Sequence, residues 1–189
     1  LNQADIIEAM KACEQTSGLN VLQHGESVRD FYLDLKQHIL EGEQLKHPWR
    51  IPAWAGQKEL WALTLDDQAL AEYQIFHDCS KPFCRTVDEE GRAHFPNHAA
   101  LSEQIWLQAG GNPLSARLMG MDMDIHLLSG EGIQQFCSRT EAASLLLTGL
   151  SEIHSNAQMF GGIESTSFKM KWKHIDRRGK QIAKILTGQ

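Results

Sequence analysis

His24-Gly-Glu-Ser-Val-Arg-Asp-Phe-Tyr-Leu-Asp-Leu-Lys-Gln-His-Ile39 is the stretch on which the fold class turns. Val28, Phe31, Leu35 and Ile39 recur three and four residues apart, the period of one face of an α-helix, and His24 opens that helix on the same face. Downstream, Leu60 to Asp78 reads as one or two helices that stop before Pro82, because proline disfavours helical backbone in the residue before it. His77 and Asp78 then fall in a last turn. Arg85 to Phe95, with Asp88, Glu89, Glu90 and Gly91, has the composition of a loop or short hairpin. Pro96-Asn97 leads into a helix with His98 in its first turn. After Gly110-Gly111-Asn112, Pro113 opens another helix, expected to carry Asp122, Asp124 and His126. Ser138-Arg-Thr-Glu141 has capping-box spacing ahead of an apolar run, so one long helix is expected from there to Phe160, closed by Gly161-Gly162. Strand-like stretches lie only around Val87 and from Ser167 to Trp172, and no internal repeat is present. The fold class is all-α.

A chain of 189 residues, 42% hydrophobic and 22% charged, is long enough to bury a full core, and one globular unit is expected. Residues 1–164 are read as a helical domain and residues 165–189 as a basic segment packed on the same domain. No apolar run approaches the roughly 20 residues of a membrane span. Leu1-Asn-Gln-Ala-Asp lacks the basic flank and apolar centre of a secretory signal, which points to a soluble, cytoplasmic protein without a membrane partner. Cys13, Cys79, Cys84 and Cys137 are too few and too irregular for a disulfide framework and are expected as thiols. The net charge of −6 hides an asymmetry, since the last 25 residues carry Lys169, Lys171, Lys173, Arg177, Arg178, Lys180 and Lys184 against Asp176 alone. A basic segment on an acidic body suits a phosphate-rich ligand, with Phe168 and Trp172 available to stack on a base; the plainer reading is a solvated amphipathic helix.

The chemistry-bearing residues are His24, the adjacent pair His77-Asp78, and His98. An imidazole and a carboxylate side by side near a helix end can both reach one divalent cation, a common means of activating water at neutral pH. Asp122 and His126 are four apart and share a helix face if the helix is continuous, whereas Asp124 projects about 200° from Asp122. Lys81 sits one turn beyond His77, within reach of a phosphate oxygen. Imidazole titrates nearest neutral pH, so His98 or His126 suits protonation of a leaving oxygen. His38, His47, His154 and His174 are read as ordinary hydrogen-bonded histidines, and Trp49, Trp54, Trp61 and Trp106 as packing residues.

Taken together, His24, His77-Asp78, Lys81, His98 and a distal acidic residue resemble the HD superfamily of metal-dependent phosphohydrolases. The resemblance runs from His24 to about Glu152, and His77-Asp-Cys-Ser-Lys81 is its most specific part. Gln23-His-Gly-Glu-Ser-Val28 and His94-Phe-Pro-Asn-His98 look most like the phosphatase modules of bacterial RNA end-repair enzymes. It implies a helical fold, one or two divalent ions (Mn, Co, Ni, Mg, Fe or Zn), and hydrolysis of a phosphate ester of a nucleotide or nucleic-acid end. The implied metal ligands are His24, His77, Asp78 and a distal acid, for which Asp122, Asp124 and Glu152 all fit and Asp122 is preferred. Asp78, Lys81, His98 and His126 are then the catalytic group, and Lys81, Lys169, Lys171, Trp172 and Arg177 the contacts to phosphate or base. No Gly-rich loop ending in Gly-Lys-Ser/Thr accompanies them, so a kinase donor site of that type is absent.

Two rivals share these residues. Cys79, Cys84, His94 and His98 approach zinc-finger spacing and would define a zinc-stabilised nucleic-acid-binding module, although the central gap is shorter than the usual ~12 residues. A di-iron oxygenase on the same fold would use His98 and His126 as added ligands, and would be coloured and oxygen-sensitive.

Overall fold

Helices make up nearly all the regular structure, as expected of an all-α chain, and the two sheets are two-stranded antiparallel ribbons. The computed structural model describes residues 1–189. In chain order the elements are α1 (Gln3–Ala12), β1 (Glu14–Thr16), β2 (Leu19–Asn20), α2 (Val21–Glu41), α3 (Lys58–Trp61), α4 (Asp67–Phe76), α5 (Lys81–Cys84), β3 (Thr86–Val87), β4 (Ala93–His94), α6 (His98–Gln108), α7 (Pro113–Gly120), α8 (Asp124–Leu127), α9 (Ile133–Cys137), α10 (Ala142–Ala157) and α11 (Thr166–Thr187). They sort into two compact units interleaved in sequence, one of residues 1–27 and 68–123, the other of residues 28–67 and 124–189. No helix is long and apolar enough to cross a membrane.

In the first unit, α1 starts at a capping box. The Asn2 side chain accepts from the Asp5 amide at 2.8 Å, and the Asp5 carboxylate accepts from the Asn2 amide at 3.2 Å. Ile6 and Met10, one turn apart, are fully buried. Around α4, the Glu72 carboxylate accepts from the Trp106 indole at 3.1 Å and from the Asn112 amide at 2.8 Å, which ties α4 to α6 and to the start of α7. Gly111 makes this possible, because a Cβ there would come within 2.9 Å of Trp106 Cε2 and closer to other ring atoms. Asn112 then caps α7, accepting from the Leu114 amide at 2.8 Å, with Pro113 as the first helical residue.

The second unit is organised on α10, in which every residue from Ala142 to Leu150 is buried, as befits a helix apolar all round. The basic segment forms α11, which buries Phe168, Ile175, Ile182 and Ala183 and meets α10 where the Phe168 ring lies edge-on to His154. Ser165 caps α11 by accepting from the Phe168 amide at 3.1 Å, and Gly188 closes it in the left-handed conformation, φ 73°. The loop after α2 is held by the Asp34 carboxylate, which accepts from the Lys46 and His47 amides at 2.9 and 3.1 Å and from the Trp49 indole at 3.0 Å.

Three sequence expectations need correction. The helix opened by Pro113 ends at Gly120; the amides of Met121 and Asp122 close back on Leu118 and Met119, and a separate α8 begins at Asp124. The stretch from Ser138 to Phe160 is not one helix, and its capping box does not form. Ser138 Oγ donates to the Gln135 carbonyl at 2.6 Å and finishes α9, while Glu141 caps α10 without a side-chain bond. Ser167 to Trp172 lies within α11, not in a strand. The hairpin near Val87 is present, with Thr86 opposite His94 and Val87 opposite Ala93.

Candidate functional site

His24, His77, Asp78, Lys81, His98 and Asp122 all lie in the first unit. His24 stands in the first turn of α2, and Gly25 brings that turn hard against the end of α4. A Cβ at Gly25 would come within 2.6 Å of the Ile75 carbonyl carbon and 3.0 Å of its Cα, so only glycine fits. The approach sets the His24 and His77 rings edge to face, their centroids 5.3 Å apart. His77 and Asp78 follow directly on α4, and both are nearly inaccessible at 2% and 3% exposure, as is His24 at 1%.

His98 opens α6 after Asn97, whose left-handed backbone (φ 53°) is one of the few non-glycine conformations of that kind tolerated by asparagine. Two buried serines clamp this turn to the one after α4. Ser80 Oγ donates to the His98 carbonyl at 2.6 Å, Ser102 Oγ donates to Ser80 Oγ at 2.9 Å, and the Ser80 amide donates to Ser102 Oγ at 3.1 Å.

The Asp78 carboxylate is the hub. Its Oδ2 lies 3.7 Å from His24 Nε2, 3.4 Å from His77 Nε2 and 2.7 Å from Lys81 Nζ, and its Oδ1 lies 3.6 Å from His98 Nε2. The imidazole separations exceed the ~2.7–3.2 Å of a hydrogen bond. They are close to the ~3.0–3.5 Å expected between two ligands that share one ion at bonds near 2.1 Å. His77 Nδ1 lies 2.8 Å from the Gln74 carbonyl and His98 Nδ1 3.2 Å from the Phe95 carbonyl. A carbonyl accepts only, so each Nδ1 carries a proton and each Nε2 faces Asp78. The donor set of neutral imidazoles and a carboxylate suits a divalent transition ion.

Lys81 and His98 sit at the rim, with side chains 12% and 21% exposed against 4% for Asp78. The Lys81 ammonium also donates to Gln15 Oε1 at 3.3 Å and faces the Phe95 ring at 5.2 Å. Asp122 is buried in the turn after α7 and accepts from the Tyr73 hydroxyl at 2.6 Å, while the Tyr73 ring lies 6.4 Å from that of His77.

His126 and Asp124, by contrast, belong to the second unit. His126 Nε2 lies 3.4 Å from Glu152 Oε2, and Asp124 pairs with Arg139 at 2.5 Å. Because the helix breaks after Gly120, Asp122 and His126 do not share a face. Of the basic-segment residues, Lys169, Lys171 and Arg177 are exposed, Lys169 pairs with Glu164 at 3.3 Å, and Trp172 is half-buried. Phe168 is 3% exposed and edge-on to His154 at 4.9 Å, so it has no face to offer a base.

The zinc-finger residues are engaged separately. Cys79 is buried, donates to the Ser102 carbonyl at 3.7 Å and has its thiol pushed up to about 12 by burial; His94 pairs with Asp88 at 2.7 Å. All four cysteines are thiols. The sequence alone does not single out Tyr73, Gln15, Ser80 or Ser102. Only Tyr73, four residues before His77 on one helical face, carried a usable signal. No family model, curated protein or solved structure matches this chain.

Proposed function

We propose that this chain is a metal-dependent phosphohydrolase of the HD type, acting on a phosphate ester of a nucleotide or nucleic-acid end. The observation that carries the reading is the Asp78 carboxylate ringed by three imidazole Nε2 atoms at 3.4–3.7 Å, with an ammonium at 2.7 Å. His24, His77 and Asp78 would hold a divalent ion, which when bound would supply Lewis acidity and lower the pKa of a water so that hydroxide is available to attack phosphorus near neutral pH. Asp122 stays in the proposal as the distal acid, oriented by Tyr73.

The rim residues carry the remaining roles. Lys81 is held by Asp78, Gln15 and Phe95 at a position from which its charge offsets the charge that builds on a non-bridging phosphate oxygen. His98 is the general acid in this proposal. Its Nδ1 proton is committed to the Phe95 carbonyl, so the proton that the leaving alkoxide takes is a second one, held on Nε2 of the imidazolium beside the Asp78 carboxylate, and His98 is not a metal ligand in this proposal. The seclusion of His24, His77 and Asp78 keeps bulk water from competing for the same ligands.

Asp78→Ala tests the core of the proposal. It should lose stoichiometric manganese, cobalt or nickel, measured by elemental mass spectrometry, together with metal-dependent release of phosphate from a chromogenic phosphomonoester. Helical content should remain close to that of the parent by circular dichroism. A variant that keeps full metal occupancy overturns the assignment.

A further inference from the structure

A second concave site lies wholly within the second unit, in a cavity of about 560 Å³ between the Ile51–Gln57 segment and α11. That volume falls in the range of small-molecule sites. We propose that this cavity binds a nucleotide, as a nucleobase against its aromatic wall and a phosphate on Lys180 and Lys184.

The wall is fixed in place by the fold. Trp54 is 4% exposed, and its indole donates to the Asp176 carbonyl and to Asp176 Oδ1, each at 3.2 Å. Gly179 admits it, since a Cβ there would come within 2.9 Å of Trp54 Cη2 and closer to other ring atoms. Trp172 is held by its own indole, which donates to the Arg50 carbonyl at 2.7 Å, and by the Arg50 guanidinium 4.0 Å from its ring centroid. Both rings are therefore set before any ligand arrives; Trp54 is buried and backs the wall, and the half-buried Trp172 supplies the ring surface on which a planar base can stack with little loss of ordering entropy.

The polar groups around the cavity match a base and a phosphate. Gln57 lines the cavity and its buried Oε1 makes no hydrogen bond within the protein, so a turn of this side chain towards the cavity offers an acceptor to a base N–H or exocyclic amine. Lys180 and Lys184 are one helical turn apart and exposed, and the one acidic side chain of the lining, Asp176, already accepts from Trp54. Lysines near a helix C-terminus also complement its dipole. That role, however, needs neither a cavity beside them nor two indoles and a buried amide oxygen around it.

The choice of a nucleotide over other anionic aromatics rests on the function proposed above, but binding is read here without metal or turnover, so the two proposals fail separately. The parent chain in EDTA is titrated with AMP, CMP, GMP and UMP and with a 5′-labelled single-stranded RNA hexamer, by calorimetry and fluorescence anisotropy. Tripolyphosphate and anionic phosphatidylserine vesicles serve as comparison ligands.

Saturable binding of a mononucleotide or of the hexamer supports the site, and the tighter of the two identifies its source as free nucleotide or strand. Lys180→Gln with Lys184→Gln, both exposed, should weaken that binding at least tenfold with an unchanged Tm. Gln57→Leu should narrow the differences among the four bases. Asp78→Ala should bind as the parent does, so loss of hydrolysis with binding intact leaves this inference standing. Equal affinity of parent and double variant overturns it. So does tripolyphosphate binding as tightly as a nucleotide, or binding to vesicles alone.

Discussion

Gly25→Ala tests whether the approach of α2 to α4 is what assembles the candidate metal site. The added Cβ would sit 2.6 Å from the Ile75 carbonyl carbon, where an ordinary carbon–carbon contact is ~3.5–4.0 Å, and closer still to the carbonyl oxygen, so the two backbones must part by at least about 1 Å. The obstacle is main chain in a helix, not the end of a flexible side chain, and rotamer change cannot relieve it. Overpacking of this kind costs about 1–3 kcal/mol. The functional loss should be larger than the stability loss, because His24 travels with Gly25 while His77 and Asp78 travel with Ile75, and a misplacement near 1 Å can cost ~10²-fold in rate. Urea denaturation by circular dichroism gives the first quantity, and manganese titration with phosphomonoester hydrolysis gives the second. Parent-like stability and parent-like metal affinity in the same variant would refute the packing argument. A variant destabilised within the stated range but with unchanged metal affinity would show that His24 is not set by this contact.

His154 predicts an acid-sensitive second unit. It is buried, its Nδ1 donates to the Leu150 carbonyl at 2.8 Å, its Nε2 accepts from the Arg50 amide at 3.1 Å, and burial lowers its pKa from 6.5 to about 4. The unfolded chain binds the proton first, so this stability is complete above pH 6.5 and is lost as pH falls towards 4, by about 3 kcal/mol at 1.36 kcal/mol per unit. Urea midpoints at pH 7, 5.5 and 4 should show this fall, and His154→Gln should flatten it; an equal slope in both proteins counts against the assignment. Tyr73→Phe removes the 2.6 Å bond to buried Asp122 and should cost about 1–3 kcal/mol in the same denaturation assay, and an unchanged midpoint would show that Asp122 does not depend on Tyr73.

What the sequence makes legible follows from how local the determining physics is. The helix after His24 is readable because its buried face repeats at helical period, and the start of α6 because Pro96-Asn97 marks it from within the segment. The break after Gly120 is not readable, since Met121 and Met123 carry the apolar pattern straight through and the closing bonds to Leu118 and Met119 leave no compositional trace. Ser138 misleads for a related reason. Its hydroxyl has two competing acceptor and donor uses within a few residues, and back-bonding to Gln135 wins. Ser80 and Ser102 lie 22 residues apart with no period linking them, and their pairing exists only once α6 has packed beside the turn after α4.

The histidines carry the same lesson into chemistry. His77, His98 and His154 each place Nδ1 on a carbonyl three or four residues earlier, so the local device is shared and distinguishes none of them. The difference lies at the other nitrogen. In His154, Nε2 accepts a backbone N–H from Arg50, which completes the hydrogen bonding of the ring and leaves nothing to offer an ion. In His77, Nε2 meets a carboxylate oxygen of Asp78 at 3.4 Å, too far for a hydrogen bond and close to the spacing of two ligands on one ion. A neutral imidazole gains little from an acceptor at that distance unless a positive charge lies between them. The partner of Nε2 separates a packing histidine from a candidate ligand, and by that criterion His24, with Nε2 3.7 Å from the same carboxylate, falls with His77.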